Sequence, residues 1–273
     1  MQENVDIMIK VNPEFNIQIF DCDERREFIK NNFPEDILIA YDTLKPGAYK
    51  ADLWRLCVLY VNGGIYVDIK LKCINNFKFI SLTEREYLVL DIQPGHGLVN
   101  LWNGLIVSKP KNDLLLKCIN KINENVKNKY YGFNYLSPTG PGLLGEQYIK
   151  MLRENESTIE EELHKLELCF YNTDMVLKII FNNVAILEYY KEYRSEQKKF
   201  AKTKHYAEIY GLKQIYNEDL VEYFNYNKCC NKCNKYCNKF NKYCNKFNNN
   251  IVFILCIFFA IINLIFIIYY YKC

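Results

Sequence analysis

Up to about residue 222 the chain alternates short β-rich runs with longer amphipathic stretches. It then turns polar and repetitive, and finally almost wholly apolar. Asn16–Phe20 alternates apolar and polar positions and stops at Asp21, which predicts a strand and its exit. Residues 24–32 have the spacing of a short amphipathic helix. Residues 48–62 predict a mostly apolar helix, introduced by Pro46 and ended by Gly63-Gly64. Ile65–Ile69 is short and β-rich, as a buried strand should be. Residues 87–90 and 105–108 predict two more strands, and 112–126 and 143–152 two more helices. A small β-element is expected from 166–170, 175–181 and 184–187, with Asn182-Asn183 as a turn. Strands alternating with helices predict an α/β sandwich.

The last part of the chain has a different character. Residues 251–271 are apolar except for Asn263, and about 21 residues at ~1.5 Å each match the hydrocarbon core of a bilayer. A single-pass C-terminal transmembrane helix is therefore expected there, with Tyr269, Tyr270 and Tyr271 at one interface. Six lysines between Lys228 and Lys246 precede it, which orients this flank and the body toward the cytosol. Between body and span, NKYCNKF at 234–240 is repeated identically at 241–247. Cys230 and Cys233 form a CxxC, with Cys237 and Cys244 as a conceivable second pair for zinc. The repeat explains the spacing without metal, and a basic, palmitoylatable linker is the simpler reading. Three segments result: a domain at 1–224, a linker at 225–250 and a transmembrane helix at 251–271.

Charge sharpens this division. Within 1–224, 28 basic residues face 32 acidic ones, a net of −4, whereas the remainder carries only basic residues. A mildly acidic body with interspersed lysines argues against nucleic-acid binding. Half of the chain is apolar and 15% is aromatic, so the body is expected to fold around a core. Its five scattered cysteines have no disulfide or zinc spacing and are expected to be reduced thiols.

The chemistry concentrates in Ala51–Lys72. Asp52 and Arg55 are three apart on one helix, so they share a face of an otherwise apolar element. They either pair with each other or line a polar site. A glycine pair follows, then a strand ending in Asp68, a position where open α/β sheets bind ligands. Of the remaining polar residues, His164 is expected at the surface and His96 in a loop, and Trp54 and Trp102 in the core or as platforms. There is no P-loop, Ser-His-Asp order or dinucleotide fingerprint.

The ordered combination Ala48, Ala51-Asp52, Arg55, Leu59-Tyr60, Gly63-Gly64, Tyr66 and Asp68 resembles the glycosyltransferases with a DXD sugar-binding motif, related to family 32. Asn12-Pro13 with the run to Asp21, Asn103-Gly104, Thr139-Gly140-Pro141-Gly142 and Lys204-His205-Tyr206 resemble further segments of that family. The resemblance covers roughly residues 10–212. It implies a GT-A-like nucleotide-sugar-binding sandwich that transfers a hexose or N-acetylhexosamine from a UDP- or GDP-sugar, with retention, to a glycan, lipid or protein acceptor. A nucleotide-sugar hydrolase and a truncated, non-catalytic nucleotide-sugar-binding membrane protein are the alternatives.

By the same resemblance, Asp68, Asp91 and His205 are the catalytic candidates, with Asp91 on the acceptor side. Asp52, Arg55, Tyr66, Lys70, Asn103 and Gly140 are candidates for substrate binding. Asp68 and His205 are the candidate ligands of a divalent cation, Mn²⁺ or Mg²⁺. The motif departs from the family pattern at its third position, which reads Asp68-Ile69-Lys70. A protonated lysine is no metal ligand, but it brings a positive charge toward phosphates, so metal-independent donor binding is an expectation too. The family's usual first strand has no counterpart before Asn12, and Val5–Val11 is expected to replace it in part.

Overall fold

The computed structural model describes residues 2–92, 99–173, 176–200 and 204–222. The elements run as α1 (Gln2–Val11), α2 (Cys22–Asn32), α3 (Glu35–Thr43), α4 (Gly47–Asn62), β1 (Gly64–Val67), β2 (Leu71–Cys73), β3 (Tyr87–Leu90) and β4 (Leu101–Ser108). They continue as α5 (Asp113–Lys127), α6 (Pro141–Glu154), α7 (Ile159–His164), β5 (Leu168–Thr173), β6 (Val176–Phe181), β7 (Val184–Tyr189), α8 (Tyr193–Phe200) and α9 (Tyr206–Gly211). They belong to the compact unit Met1–Val221. The repeat linker at 225–250 and the apolar run at 251–271 lie outside the described residues. Among the described residues no helix is long and apolar enough to cross a membrane.

Local signals fix several element ends. Asp21 caps α2 by accepting from Asp23 N and Glu24 N, while Glu24 returns a bond to the Asp21 N–H, a reciprocal capping box. Asn112 caps α5 through Leu115 N, and Pro141 opens α6. Gly63 ends α4 at φ +66°, and a β-carbon there would lie 2.6 Å from Pro110 Cδ, so both the dihedral and the space call for glycine. Asn182 and Asn183 both have positive φ, the two-residue turn that matches the twist of a hairpin.

All seven strands form one mixed sheet, ordered β1-β4-β3-β5-β6-β7-β2. Among the described residues only the β3–β5 pair is parallel. The predicted small β-element is therefore not separate: β5, β6 and β7 are the far half of the central sheet, and β7 pairs with β2. β1 and β2 are the two ends of the strand order, yet only residues 68–70 separate them. Four Cα steps span at most about 14 Å, so the sheet curls until its ends meet at Asp68-Ile69-Lys70. One cluster of buried apolar side chains is built from β2 to β7 with Met8 of α1, and further buried apolar residues such as Leu53, Leu115 and Ile119 lie among the helices. On the β1–β4 side, helices α2 to α6 pack against one another, and α4 and α6 reach β4.

Three expectations are corrected. Ile65–Ile69 is not a buried strand; β1 stops at Val67 and is a partly exposed end of the sheet. Its β-rich composition reflects pairing to β4 on one side, not burial on both. Asn16–Phe20 is not a strand: it has no ladder partner, although Phe15 and Ile17 lean on the apolar core and Phe20 packs 5.0 Å from the Trp54 ring. Val5–Val11 supplies no substitute strand because it belongs to α1. Val5 and Met8, three residues apart, share the buried face of that helix.

Candidate functional site

The charges of α4 meet those following β1 because β4 lies between them. Tyr87 of β3 faces Val107, but Val89 faces Trp102, so β4 carries three extra residues against β3 in this interval. That irregularity contains Asn103 and Gly104. Bulges of this kind redirect side chains and are common beside active sites. Here the strand is re-aimed so that Gly104 O accepts from Asp68 N at 2.8 Å and Asn103 O from Arg55 Nη1 at 2.6 Å. Gly104 has no room for a side chain. A β-carbon would sit 2.3 Å from the Trp102 ring and 2.8 Å from Asp68 Oδ2.

Arg55 is the hub. Its Nη2 lies 3.1 Å from Asp52 Oδ1 and its Nη1 3.2 Å from Asp68 Oδ1. The two readings of Asp52 and Arg55 thus merge: they pair with each other and also line a cleft. Asp52 accepts further bonds from Asn103 Nδ2 at 2.9 Å and Thr139 Oγ1 at 2.8 Å. Asp68 accepts from Tyr66 OH at 2.7 Å and pairs with Lys70 Nζ at 2.8 Å. Lys70 Nζ also stands 5.2 Å from the centre of the Trp102 ring and 5.1 Å from that of Tyr189. Such ring faces attract a cation. Trp102 is held flat by stacking on Phe170, 4.6 Å away at 7°.

The electrostatics follow from burial and from these partners. Burial raises the pKa of Asp52 in spite of Arg55, Thr139 and Asn103. Burial also opposes the charge of Asp68, but Lys70, Arg55 and Tyr66 outweigh it and hold its pKa below the usual range. For Lys70 burial works against the ammonium, and Asp68 reverses this and raises its pKa. The four groups Asp52, Arg55, Asp68 and Lys70 thus form a near-neutral, hydrogen-bonded set. Asp91, just beyond β3, is pushed up to about 6, chiefly by burial, with the Ile92 N–H and Lys70 pulling the other way.

A cleft of about 1740 Å³ opens over this set, and all nine candidates line it: Asp52, Arg55, Tyr66, Asp68, Lys70, Asp91, Asn103, Gly140 and His205. Their roles in the wall differ. Asn103 is buried beneath Asp52 and Arg55, and Gly140 leaves space beside Asp52, where an added β-carbon would stand 3.4 Å from Oδ2. His205 lies on the exposed wall formed by α8 and α9. It caps α9 through Nδ1, which accepts from Ala207 N, and its Nε2 is 3.3 Å from Arg194 Nη1. Partial burial and then Arg194 lower its pKa, which favours the neutral imidazole. Eight Lys and Arg side chains line the cleft against four Asp and Glu, a balance suited to an anionic ligand.

The residues present do not make a nest of metal ligands. Both oxygens of Asp68 are engaged, Oδ1 by Tyr66 and Arg55 and Oδ2 by Lys70. His205 already uses both ring nitrogens. Among the described residues no three His, Cys, Asp or Glu side chains gather to hold a metal ion. A hard divalent cation prefers several oxygen ligands.

Four contributors escape sequence reasoning as site residues. The Thr139 hydroxyl binds Asp52, Trp102 and Tyr189 face Lys70, and Arg194 meets His205. Thr139 is signalled by the Thr-Gly-Pro turn. The other three become visible only once the sheet curls and brings β4, β7 and α8 around residues 68–70. His164 is exposed, as expected, and His96 lies outside the described residues. The described cysteines are unpaired thiols, with Cys57, Cys73 and Cys118 buried.

Comparisons with known proteins point to the same stretch of chain. Residues 1–88 match the family model described as a glycosyltransferase sugar-binding region containing a DXD motif. That match contains Asp52, Arg55, Tyr66, Asp68 and Lys70. The chain is 35% identical over 103 residues to a protein named uncharacterized glycosyltransferase L373 of Acanthamoeba polyphaga mimivirus, covering 37% of this chain and 40% of that protein. The chain thus spans well under two thirds of the length of this curated relative. A solved structure named PaToxG glycosyltransferase is similar at 18% identity and a TM-score of 0.43, over 61% of this chain and 70% of that one.

Proposed function

We propose that this protein is a glycosyltransferase with a GT-A-like body, moving a hexose or N-acetylhexosamine from a UDP- or GDP-sugar to a glycan, lipid or protein acceptor with retention. One observation carries the reading. Within the segment matched by the sugar-binding family model, Asp52, Arg55 and Asp68 lie in one hydrogen-bonded set at the cleft. Acids held by a buried arginine are pre-positioned to accept sugar hydroxyls, and the surplus of cations in the cleft suits a diphosphate. In the reaction the bond from the sugar C1 to the diphosphate oxygen breaks, and its electron pair leaves with the nucleoside diphosphate. The acceptor oxygen bonds to C1 and gives up its proton. Asp91, with its pKa near 6, stands in the cleft wall as the acceptor-side carboxylate that takes that proton or steers it to water.

In the same reading residues 251–271 form a single membrane-spanning helix, with the lysine-rich flank and the body on the cytosolic side. Resistance of the whole chain to alkaline extraction from membranes, lost on deleting 251–271, is the expected result. Activity is tested by incubating the whole chain in detergent with a set of UDP- and GDP-sugars and following nucleoside diphosphate release, beside Asp68→Asn. Release from one donor that rises with an added acceptor and is lost in Asp68→Asn supports transfer. Release that no acceptor stimulates indicates hydrolysis. Donor binding without release indicates a non-catalytic sugar-nucleotide binder.

A further inference from the structure

We infer that Lys70 is a built-in replacement for the divalent cation: its ammonium, carried on the Asp68-Ile69-Lys70 turn, neutralises the diphosphate of the donor, and the site works without metal. The inference rests on the donor reading above and deepens it.

The charge count is the first argument. The family model that matches residues 1–88 is described by a DXD motif, and in the sequence that resembles it, Asp68-Ile69-Lys70, residue 70 takes the third position. Lysine in place of aspartate changes the local charge by two units, which is the charge of one Mg²⁺ or Mn²⁺. Asp52 and Asp68 are already balanced by Arg55 and Lys70. With Asp at position 70, three carboxylates would face one guanidinium, and a divalent cation would be needed to balance them.

Geometry supplies the second argument. Lys70 is not directed away from the site: Nζ is 2.8 Å from Asp68 Oδ2, and the side chain keeps about a quarter of its surface accessible. It is therefore anchored at its root yet reachable by a ligand. The turn that carries it is fixed by three backbone bonds: Asp68 N to Gly104 O, Leu71 N to Asp68 O and Tyr190 N to Lys70 O. The rings of Trp102 and Tyr189, adjacent to each other, both stand close to 5 Å from the ammonium. Both rings stabilise the charge, and the Tyr189 hydroxyl also takes one of its hydrogen bonds. An ammonium has three N–H bonds, so bonding to Asp68 and Tyr189 leaves one donor for a phosphate oxygen. Meanwhile the Asp68 oxygens are engaged by Lys70, Tyr66 and Arg55. Binding a cation there would first require displacing Lys70, against like-charge repulsion.

The test uses the whole chain in detergent, with UDP and GDP as probes titrated calorimetrically in EDTA and in Mn²⁺. The wild type is expected to bind one of them equally well in both conditions. Lys70→Met, whose side chain keeps the bulk and the ring contacts, should weaken binding by about tenfold to a hundredfold, the loss of a charge-assisted bond. Lys70→Asp is expected to bind the nucleotide only with Mn²⁺ and to acquire a Mn²⁺ site visible by electron paramagnetic resonance on the protein alone. Wild-type binding that requires Mn²⁺ overturns the inference and leaves the donor reading intact. So does unchanged affinity in Lys70→Met. Absence of UDP and GDP binding in both conditions, with a cooperative unfolding transition showing the protein folded, overturns the donor reading and this inference with it. Thermal unfolding of each variant separates lost binding from lost folding.

Discussion

The two walls of the cleft are built in opposite ways. The α4–β1–β4 wall buries its charges, and each one has at least two partners: Arg55 touches Asp52, Asp68 and the Asn103 carbonyl. The α8–α9 wall carries Arg194, Lys198, Lys204 and His205 as exposed side chains, tied by surface contacts such as Arg194 to His205. A buried set with several partners for each charge cannot rearrange without leaving a charge stranded, so it holds one geometry. An exposed wall of long cations adjusts at little cost and adds mainly long-range attraction. Sugar hydroxyls need fixed acceptors, whereas a mobile anionic ligand is gathered well by adjustable cations. In the proposed reading, the first wall serves recognition and the second attraction.

The largest effect is expected from Arg55→Ala. Removing the hub strands Asp52 and Asp68 in the interior, and such breaks cost about 3–5 kcal/mol. Chemical denaturation should show that loss, with Arg55→Lys recovering only part of it because an ammonium cannot bridge both acids in the same way.

Asp91 comes next and is read through pH. Burial raises its pKa from 3.8 to about 6, so between those values the folded protein holds a proton that the unfolded chain releases. Stability should therefore fall as pH rises from about 4 to 6, by on the order of 2 kcal/mol, and level off above. In Asp91→Asn that part of the slope is expected to vanish. If the transfer reading is correct, the acidic limb of the rate profile near pH 6 should vanish with it.

Gly104→Ala tests the bulge. Its methyl group would press on the Trp102 ring and on Asp68 Oδ2, and overpacking of this kind costs about 1–3 kcal/mol. Because Trp102 backs Lys70, nucleotide affinity should fall together with stability. The smallest effect is expected at the open wall. His205→Ala should change stability by less than about 0.5–1 kcal/mol, since the residue is exposed and caps only a six-residue helix. Its effect on nucleotide affinity should shrink as salt is raised, whereas that of Lys70→Met should persist.

The sequence is most readable where local spacing decides the outcome. Asp52 and Arg55 fall on one helical face because they are three apart, and Asp68 follows its strand through the glycine pair. Tyr87–Leu90 and the Asn182-Asn183 hairpin are likewise local features. Reading fails where partners are distant. Asn16–Phe20 has strand-like alternation, but a strand also needs a neighbouring backbone, and none pairs with it. Val5–Val11 is rich enough in β-formers to pass for a strand, yet the three-residue spacing of Val5 and Met8 wins once α1 packs on β2. The rings around Lys70 come from residues 102 and 189, and only the curl of the sheet unites them. The Asp68–Lys70 pair is two residues apart in sequence, but its meaning depends on that curl.

The most direct measurement is a crystal structure of the chain grown with its donor sugar nucleotide in EDTA. The account predicts the diphosphate within hydrogen-bond distance of Lys70 Nζ, and the sugar against Asp52, Arg55 and Asp68. A donor seated elsewhere in the cleft, or one that enters only with a metal ion at Asp68, would contradict it.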